Sequence, residues 1–237
     1  LERHSLLFAP DNHGLCVKIH LLLARLHSVC DHGTNDKSEA LRRILEKGKN
    51  LKDQIMLHQA EIGISIGQKR NKNALKQVLS ALATLGEKFP PEADLPPIIS
   101  RELEKLRQVT EQKDNHSLLH PSHCTDKKTY DLMILLSNLI EISRSCKNER
   151  LSEVAMIHMM NISLIKGFTP QYSMSFAHYG AILMQRGLAM NSSNMANEGY
   201  RMGQISERMA RVKGFSGKCF LWCSNSPLPI FIGALEF

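Results

Sequence analysis

The feature that most constrains the fold is a series of segments in which apolar residues recur every three or four positions. In the first half, this spacing predicts helices over 14–30, 36–48, 51–66, 75–85 and 98–112. After residue 128 the pattern resumes and predicts helices over 132–142, 151–165, 170–190 and 195–209. No strand pattern of alternating apolar and polar residues precedes residue 214. The chain is therefore predicted to be all-α.

The connections between these helices predict how neighbouring helices are arranged. Turns of about three to six residues leave no room for a crossover, so consecutive helices should form antiparallel hairpins. We expect an N-terminal helical-repeat segment over 1–112, a linker or long loop over 113–128, and C-terminal helical hairpins over 129–213. Residues 214–237 form a hydrophobic tail with the only Trp and almost no charge, and they fit no pattern that we can assign.

Composition limits the class of protein. A hydrophobic fraction of 43% in 237 residues is enough for a core, which argues against disorder throughout. No apolar run approaches the roughly 20 residues that cross a bilayer, and no N-terminal segment resembles a signal peptide. The six cysteines have no disulfide-framework spacing, which predicts reduced thiols. We therefore expect a cytoplasmic protein without membrane contact; its start at Leu1 rather than Met is what a piece of a longer protein would show.

The net charge of +7 raises the alternative of a basic nucleic-acid-binding helical protein. The denser groups of cations lie over 42–52 and at Lys69, Arg70 and Lys72, and acidic residues or turns interrupt both. Nucleic-acid-binding domains usually combine a basic patch with a recognisable motif, and no such motif is present. We interpret the charges as solvated helix surfaces, so nucleic acid is not the expected partner.

Motifs that would indicate catalysis are missing from the sequence. There is no phosphate-binding loop, dinucleotide-binding turn, H-E-x-x-H helix, G-x-S-x-G turn or kinase catalytic loop. We therefore predict no catalytic residues and no cofactor.

Two groups of residues carry side chains that bind zinc in other proteins. The stronger group lies in a polar segment, but the spacing of its His and Cys residues matches no standard zinc finger. The alternative to a zinc site is a solvated loop that is rich in histidine. The second lies on one face of the first predicted helix, where bordering the packing face is the simpler explanation. We therefore do not expect a metal site. The weak candidate ligands are His116, His120, His123 and Cys124 in the first group and His13, Cys16, His20 and His27 in the second.

The second half is rich in methionine and contains one clear helix start. Its methionines are expected to fill the core, although a Met-rich surface that adapts to partner helices is the alternative. Thr169 suits an N-cap, and Pro170 suits the first position of a helix. The small residues Ala177, Gly180 and Ala181 predict that a neighbouring backbone approaches this helix closely.

One segment in this region resembles a known family. LIKGFTPQYSMSFAHYGAIL, over 164–183, is similar to part of the helical-repeat region of very large signalling proteins. In these proteins a protein-kinase-like domain and an AAA-type ATPase domain precede the repeats, and a GAF domain and a histidine kinase or cyclase follow them. The resemblance covers roughly 14–212 and is most specific at Thr169, Pro170, Tyr179, Gly180 and Gly203.

The hairpin over 51–89 also resembles a tetratricopeptide (TPR) unit. Ala74 and Ala81 occupy its small-residue positions, whereas Ile62 and Ser65 replace the usual aromatic residue and glycine. Together, the resemblances imply hairpins stacked as a TPR-like α-solenoid, and they place the kinase, ATPase and phosphoacceptor residues outside this chain. The expected function is a non-catalytic module that binds a protein partner or neighbouring domains of the same polypeptide.

Overall fold

Helices account for most of residues 51–212, the part of the chain that the computed structural model describes. The eight α-helices of this part are α1 (Leu51–Gly67), α2 (Asn71–Thr84), α3 (Leu95–Glu111), α4 (Asn115–Leu119), α5 (Lys127–Ser145), α6 (Glu149–Lys166), α7 (Tyr172–Ala189) and α8 (Ser193–Val212). A 3-10 turn, Glu92–Asp94, precedes α3. No strand forms between residues 51 and 212, so the all-α prediction is confirmed there. The helices predicted over 14–30 and 36–48, and the tail over 214–237, lie outside the described residues.

The described residues divide into two compact units, of which the first contains 51–90 and 138–149. Its main element is the hairpin of α1 and α2, whose helices pack against each other. Ile62, Val78 and Leu82 are fully buried, and the Ser65 hydroxyl donates a hydrogen bond to the side-chain oxygen of Gln77 at 2.8 Å. The last turn of α1 thus lies beside the middle of α2, as the return of the chain in an antiparallel hairpin requires.

The second unit contains residues 91–137 and 150–212, and its last three helices run antiparallel in turn. Ser175, near the start of α7, donates to Ser163, near the end of α6, at 2.8 Å. The other ends of the same helices are joined by Arg186 and Glu153. In the next pair, the Ser206 hydroxyl of α8 donates to the Ser173 carbonyl of α7 at 2.7 Å. The prediction that consecutive helices form antiparallel hairpins is therefore confirmed for these elements.

Several helices end in the same tight turn, with one residue in the left-handed region. In each turn, the backbone N–H three residues beyond the helix donates to the carbonyl five residues before it, at 2.8–2.9 Å. Glycine is the residue that adopts this conformation at least cost, yet only one of the four turns uses it. The left-handed residues are Lys69 (φ 55°), Gly86 (φ 93°), Lys147 (φ 59°) and Asn191 (φ 51°).

The start of α7 differs from the prediction. The helix begins at Tyr172, after a turn in which the Tyr172 N–H donates to the Thr169 carbonyl at 3.0 Å. Thr169 is buried and Pro170 exposed, so neither is the N-cap or first helical residue. The reason is the preceding residue: the Phe168 N–H donates to the Ser122 carbonyl at 2.7 Å, which holds the chain extended before the turn.

Two other helix starts also differ. Helix α2 starts at Asn71, four residues earlier than predicted, and Arg70 at its cap position makes no side-chain cap hydrogen bond. Helix α3 starts at Leu95, three residues earlier than predicted, with Pro96 and Pro97 in its first turn. Proline is tolerated in the first turn of a helix, because the backbone N–H groups there have no partner within the helix.

The core contains most of the methionines of the second half. Five of them are at most 4% exposed, so the prediction that they fill the core is confirmed at Met156, Met159, Met160, Met202 and Met209. Helix α6 is buried on most sides, since nine of its residues are inaccessible or nearly so. Ile165, the last residue of the helix predicted over 151–165, lies near the end of α6 and is 77% exposed.

Candidate functional site

The contact between α7 and α8 depends on glycines from both helices. A Cβ atom added to Gly180 would lie 2.7 Å from the Gly199 carbonyl oxygen and 3.1 Å from the Gly203 nitrogen. The relation is reciprocal, because a Cβ on Gly199 would lie 2.7 Å from the Gly180 oxygen. The structure thus brings Gly180 and Gly203 together and shows the close backbone approach that the sequence predicts at Gly180.

About two turns further along α7, at Gly187, the same two helices meet at another glycine. A Cβ on Gly187 would lie 2.6 Å from the Ala196 nitrogen, a backbone atom of α8. With a side chain at Gly187, the two helices could not keep their present separation. The hairpin of α7 and α8 is therefore held at backbone contact along two turns.

Tyr179, beside Gly180 in the sequence, lies in the interior of the second unit. Its side chain is 0% exposed and faces Thr110 near the end of α3. Burial raises the pKa of the Tyr179 phenol from 10.0 to about 12, because the phenolate would lose its hydration there. At neutral pH Tyr179 is thus an uncharged core residue.

Arg201 makes five side-chain hydrogen bonds in this region, and no local sequence pattern marks it. Its Nε and Nη2 atoms donate to the two carboxylate oxygens of Glu198, each at 2.7 Å. Nη2 also donates to the Thr110 carbonyl at 2.7 Å, and Nη1 to the Asn115 side-chain oxygen at 2.9 Å and the Lys113 carbonyl at 3.3 Å.

These five hydrogen bonds match the five N–H groups of a guanidinium. They join α8 to the end of α3 and the start of α4. The hydrogen bonds with Glu198 also raise the pKa of Arg201. Because its donors are all used within the protein, Arg201 has a structural role and is not a ligand-binding group.

The zinc-like group over 116–124 is built into the fold in a different way. The His116 and His120 rings lie 4.6 Å apart, and the His123 ring packs edge-on against Phe168 at 5.3 Å. Cys124 is buried, and its thiol donates weakly to the Asp126 carbonyl at 3.8 Å. Across residues 51–212, no three His, Cys, Asp or Glu side chains are grouped so that they could hold a metal ion. His13, Cys16, His20 and His27 lie outside the described residues.

The segment that carries these histidines is ordered by backbone contacts. Ser122 accepts from the Phe168 N–H, and the Cys124 N–H donates to the Phe168 carbonyl at 3.0 Å. Gly167 faces the same segment, since a Cβ there would lie 2.2 Å from the Ser122 oxygen. The Tyr172 hydroxyl reaches the Leu118 carbonyl at 3.2 Å. Hydrogen bonds therefore hold residues 118–124 against the connection between α6 and α7.

Comparison with known proteins identifies no family and no function for these residues. No protein-family model, no curated protein and no solved structure matches the chain. Within residues 51–212, none of the helices combines the length and apolar character needed to span a bilayer.

Proposed function

We propose that this chain is a non-catalytic helical-repeat module that binds a protein partner or couples neighbouring domains of the same polypeptide. It would be part of a large cytoplasmic ATPase or kinase signalling protein, with its helix pairs stacked as a TPR-like α-solenoid. The observation that carries this proposal is the hairpin of α7 and α8, which has backbone contact between its helices and exposed apolar side chains at its turn.

Those exposed side chains lie at the end of α7. Leu188 is 56% exposed and Met190 is 64% exposed. They are close to Gly187, whose contact with α8 fixes the local backbone. A rigid support lowers the entropy lost on association, and large exposed apolar side chains are common at protein interfaces. Methionine suits such a surface because its unbranched side chain adapts to a partner.

The chemical groups of the second unit also support a binding role. The side chains that could act in catalysis or bind anions, such as Arg201 and Tyr179, are occupied in helix packing. The hydroxyls of Ser175 and Ser206 are likewise bonded between helices. This part of the chain uses its polar groups to position helices.

A photo-crosslinking experiment tests the proposal. A benzophenone amino acid is placed at Met190 of the full chain, and a control protein carries it at Arg208, an exposed position on α8. We expect a defined protein, identified by mass spectrometry, to be cross-linked from position 190 and not from position 208. Binding of that purified protein should weaken at least about tenfold in Met190→Glu, because a charge would be buried at the interface.

Two results would contradict the proposal. One is the absence of any protein that is cross-linked from position 190 and not from position 208. The other is turnover of a nucleotide by the purified chain alone, which would indicate an enzyme.

A further inference from the structure

The turn between α1 and α2 carries a cluster of exposed cations, which we call the basic turn: Lys69, Arg70, Lys72 and Lys76. None of the four forms an ion pair with another residue in 51–212, whereas other cations of the described chain, such as Arg186, are paired. The sequence contains no acidic residue between Glu61 and Glu87. With respect to residues 51–212, the basic turn therefore presents uncompensated positive charge.

Two of these cations occupy positions where a lysine destabilises the folded chain. Lys69 has a φ of 55°, in the left-handed region where glycine or asparagine is less strained. Lys72 lies in the first turn of α2, where the partial positive charge of the helix end repels a cation and no acidic residue compensates. Neither lysine is the residue type that helix and turn geometry favour at its position.

The size and surroundings of the basic turn indicate the kind of ligand. Lys72 and Lys76 are four residues apart on one helix, which separates them by about 6 Å along its axis. This is less than the Debye length of about 10 Å at 0.1 M salt, so their fields add. Ile66, one turn before Lys69, is 40% exposed and adds an apolar group to the surface.

A short acidic peptide fits this combination better than nucleic acid does. A duplex-DNA site with about six to ten phosphate contacts needs more cations than the four that the basic turn offers. A peptide can place several carboxylates within the same short distance and can also supply an apolar side chain for Ile66.

We propose that the basic turn binds an acidic segment of a protein partner, whose carboxylates pair with its four cations while an apolar side chain packs against Ile66. The inference rests on the proposed function, because it specifies the chemistry of a protein ligand. It concerns a different surface from Met190, so the two can be tested separately.

The test measures binding of a fluorescein-labelled 12-residue peptide with the repeat Glu-Glu-Leu to the full chain in 50 mM NaCl. Lys72→Glu/Lys76→Glu is compared with Lys127→Glu/Lys128→Glu, which reverses two exposed lysines elsewhere and changes the net charge equally. We expect the peptide to bind the wild type and the control variant, and to bind the first variant at least about tenfold more weakly.

Loss of folding would not explain that result. Glutamate in the first turn of α2 interacts favourably with the helix end, so Lys72→Glu/Lys76→Glu should resist urea at least as well as the wild type. Binding to the wild type should also weaken when NaCl is raised to 300 mM, because the salt screens the charges.

Three results would overturn the inference. They are no peptide binding to the wild type, equal weakening in the two variants, or tighter binding of a 12-nucleotide single strand that is lost in Lys72→Glu/Lys76→Glu. The last result would identify a phosphate-binding surface. If cross-linking from Met190 still captures a partner in any of these cases, the proposed function stands and only this inference fails.

Discussion

Replacing Gly180 with alanine is the most direct test of the contact between α7 and α8. The new Cβ would lie 2.7 Å from the Gly199 oxygen, about 0.7 Å closer than the 3.4 Å at which ordinary van der Waals contact begins. The obstructing atoms belong to the backbone of α8, so no side-chain rotation relieves the clash. The helices would have to separate.

The expected magnitude follows from two opposing effects. Alanine favours a helix interior over glycine by about 1 kcal/mol. Overpacking a close-packed interior costs about 1–3 kcal/mol, and an obstruction by backbone belongs at the upper end of that range. Gly180→Ala should therefore lower the free energy of unfolding by about 2 kcal/mol.

Gly63→Ala is the matched control. Gly63 lies inside α1, and a Cβ there would have no atom within 4 Å. The same substitution should therefore stabilise by about 1 kcal/mol, which separates the two variants by about 3 kcal/mol. Urea denaturation followed by circular dichroism measures both, with unchanged m-values as the check on the comparison. A Gly180→Ala protein as stable as Gly63→Ala would refute the reasoning.

Three further predictions concern other parts of the described chain. Arg201→Lys should destabilise the protein by about 2 kcal/mol, because an ammonium cannot make the five hydrogen bonds of the guanidinium. Arg211→Lys, in an exposed ion pair, should change the stability by under about 0.5 kcal/mol. Urea denaturation compares the two variants. Lys147→Gly should raise the stability by about 1 kcal/mol in the same assay, since glycine relieves the strain at positive φ, and destabilisation would contradict this. The pKa of Tyr179 is higher in the folded protein (about 12) than its ordinary value of 10.0, so stability is fully present below pH 10 and declines as pH rises from 10 to 12. This loss, about 3 kcal/mol, should be missing in Tyr179→Phe, and an identical pH dependence in both proteins would exclude the explanation.

The sequence was informative where local chemistry decides the structure. Apolar periodicity located the longer helices between residues 51 and 212, because an amphipathic helix must place its apolar face towards a core. It missed the short α4, which lies within the segment 113–128 that was predicted to be a linker or loop. Gly180 was recognised because glycine in a helix interior costs stability unless its lack of a side chain is needed. The helix-capping aspartates were missed although their spacing was visible: Asp114 accepts from the Ser117 N–H at 2.6 Å, and Asp126 from the Lys128 N–H at 3.0 Å.

Contacts between residues distant in sequence could not be predicted in this way. Arg201 meets Thr110 across 91 positions, and no local pattern marks either residue as a partner of the other. The wrong helix start at Thr169 has the same origin, because the Phe168 backbone is held by Ser122 from another part of the chain. Stacking of the hairpins as a solenoid stays a prediction, as does the signalling context that the resemblance implies.

The reciprocal contact of Gly180 and Gly199 constrains how this chain can evolve. A side chain at either position would strike the carbonyl of the other, so neither can mutate freely while the helices keep their separation. Descendants of this hairpin should retain two glycines nineteen residues apart after most surrounding residues have diverged. That spacing offers a criterion for finding distant kin of the chain.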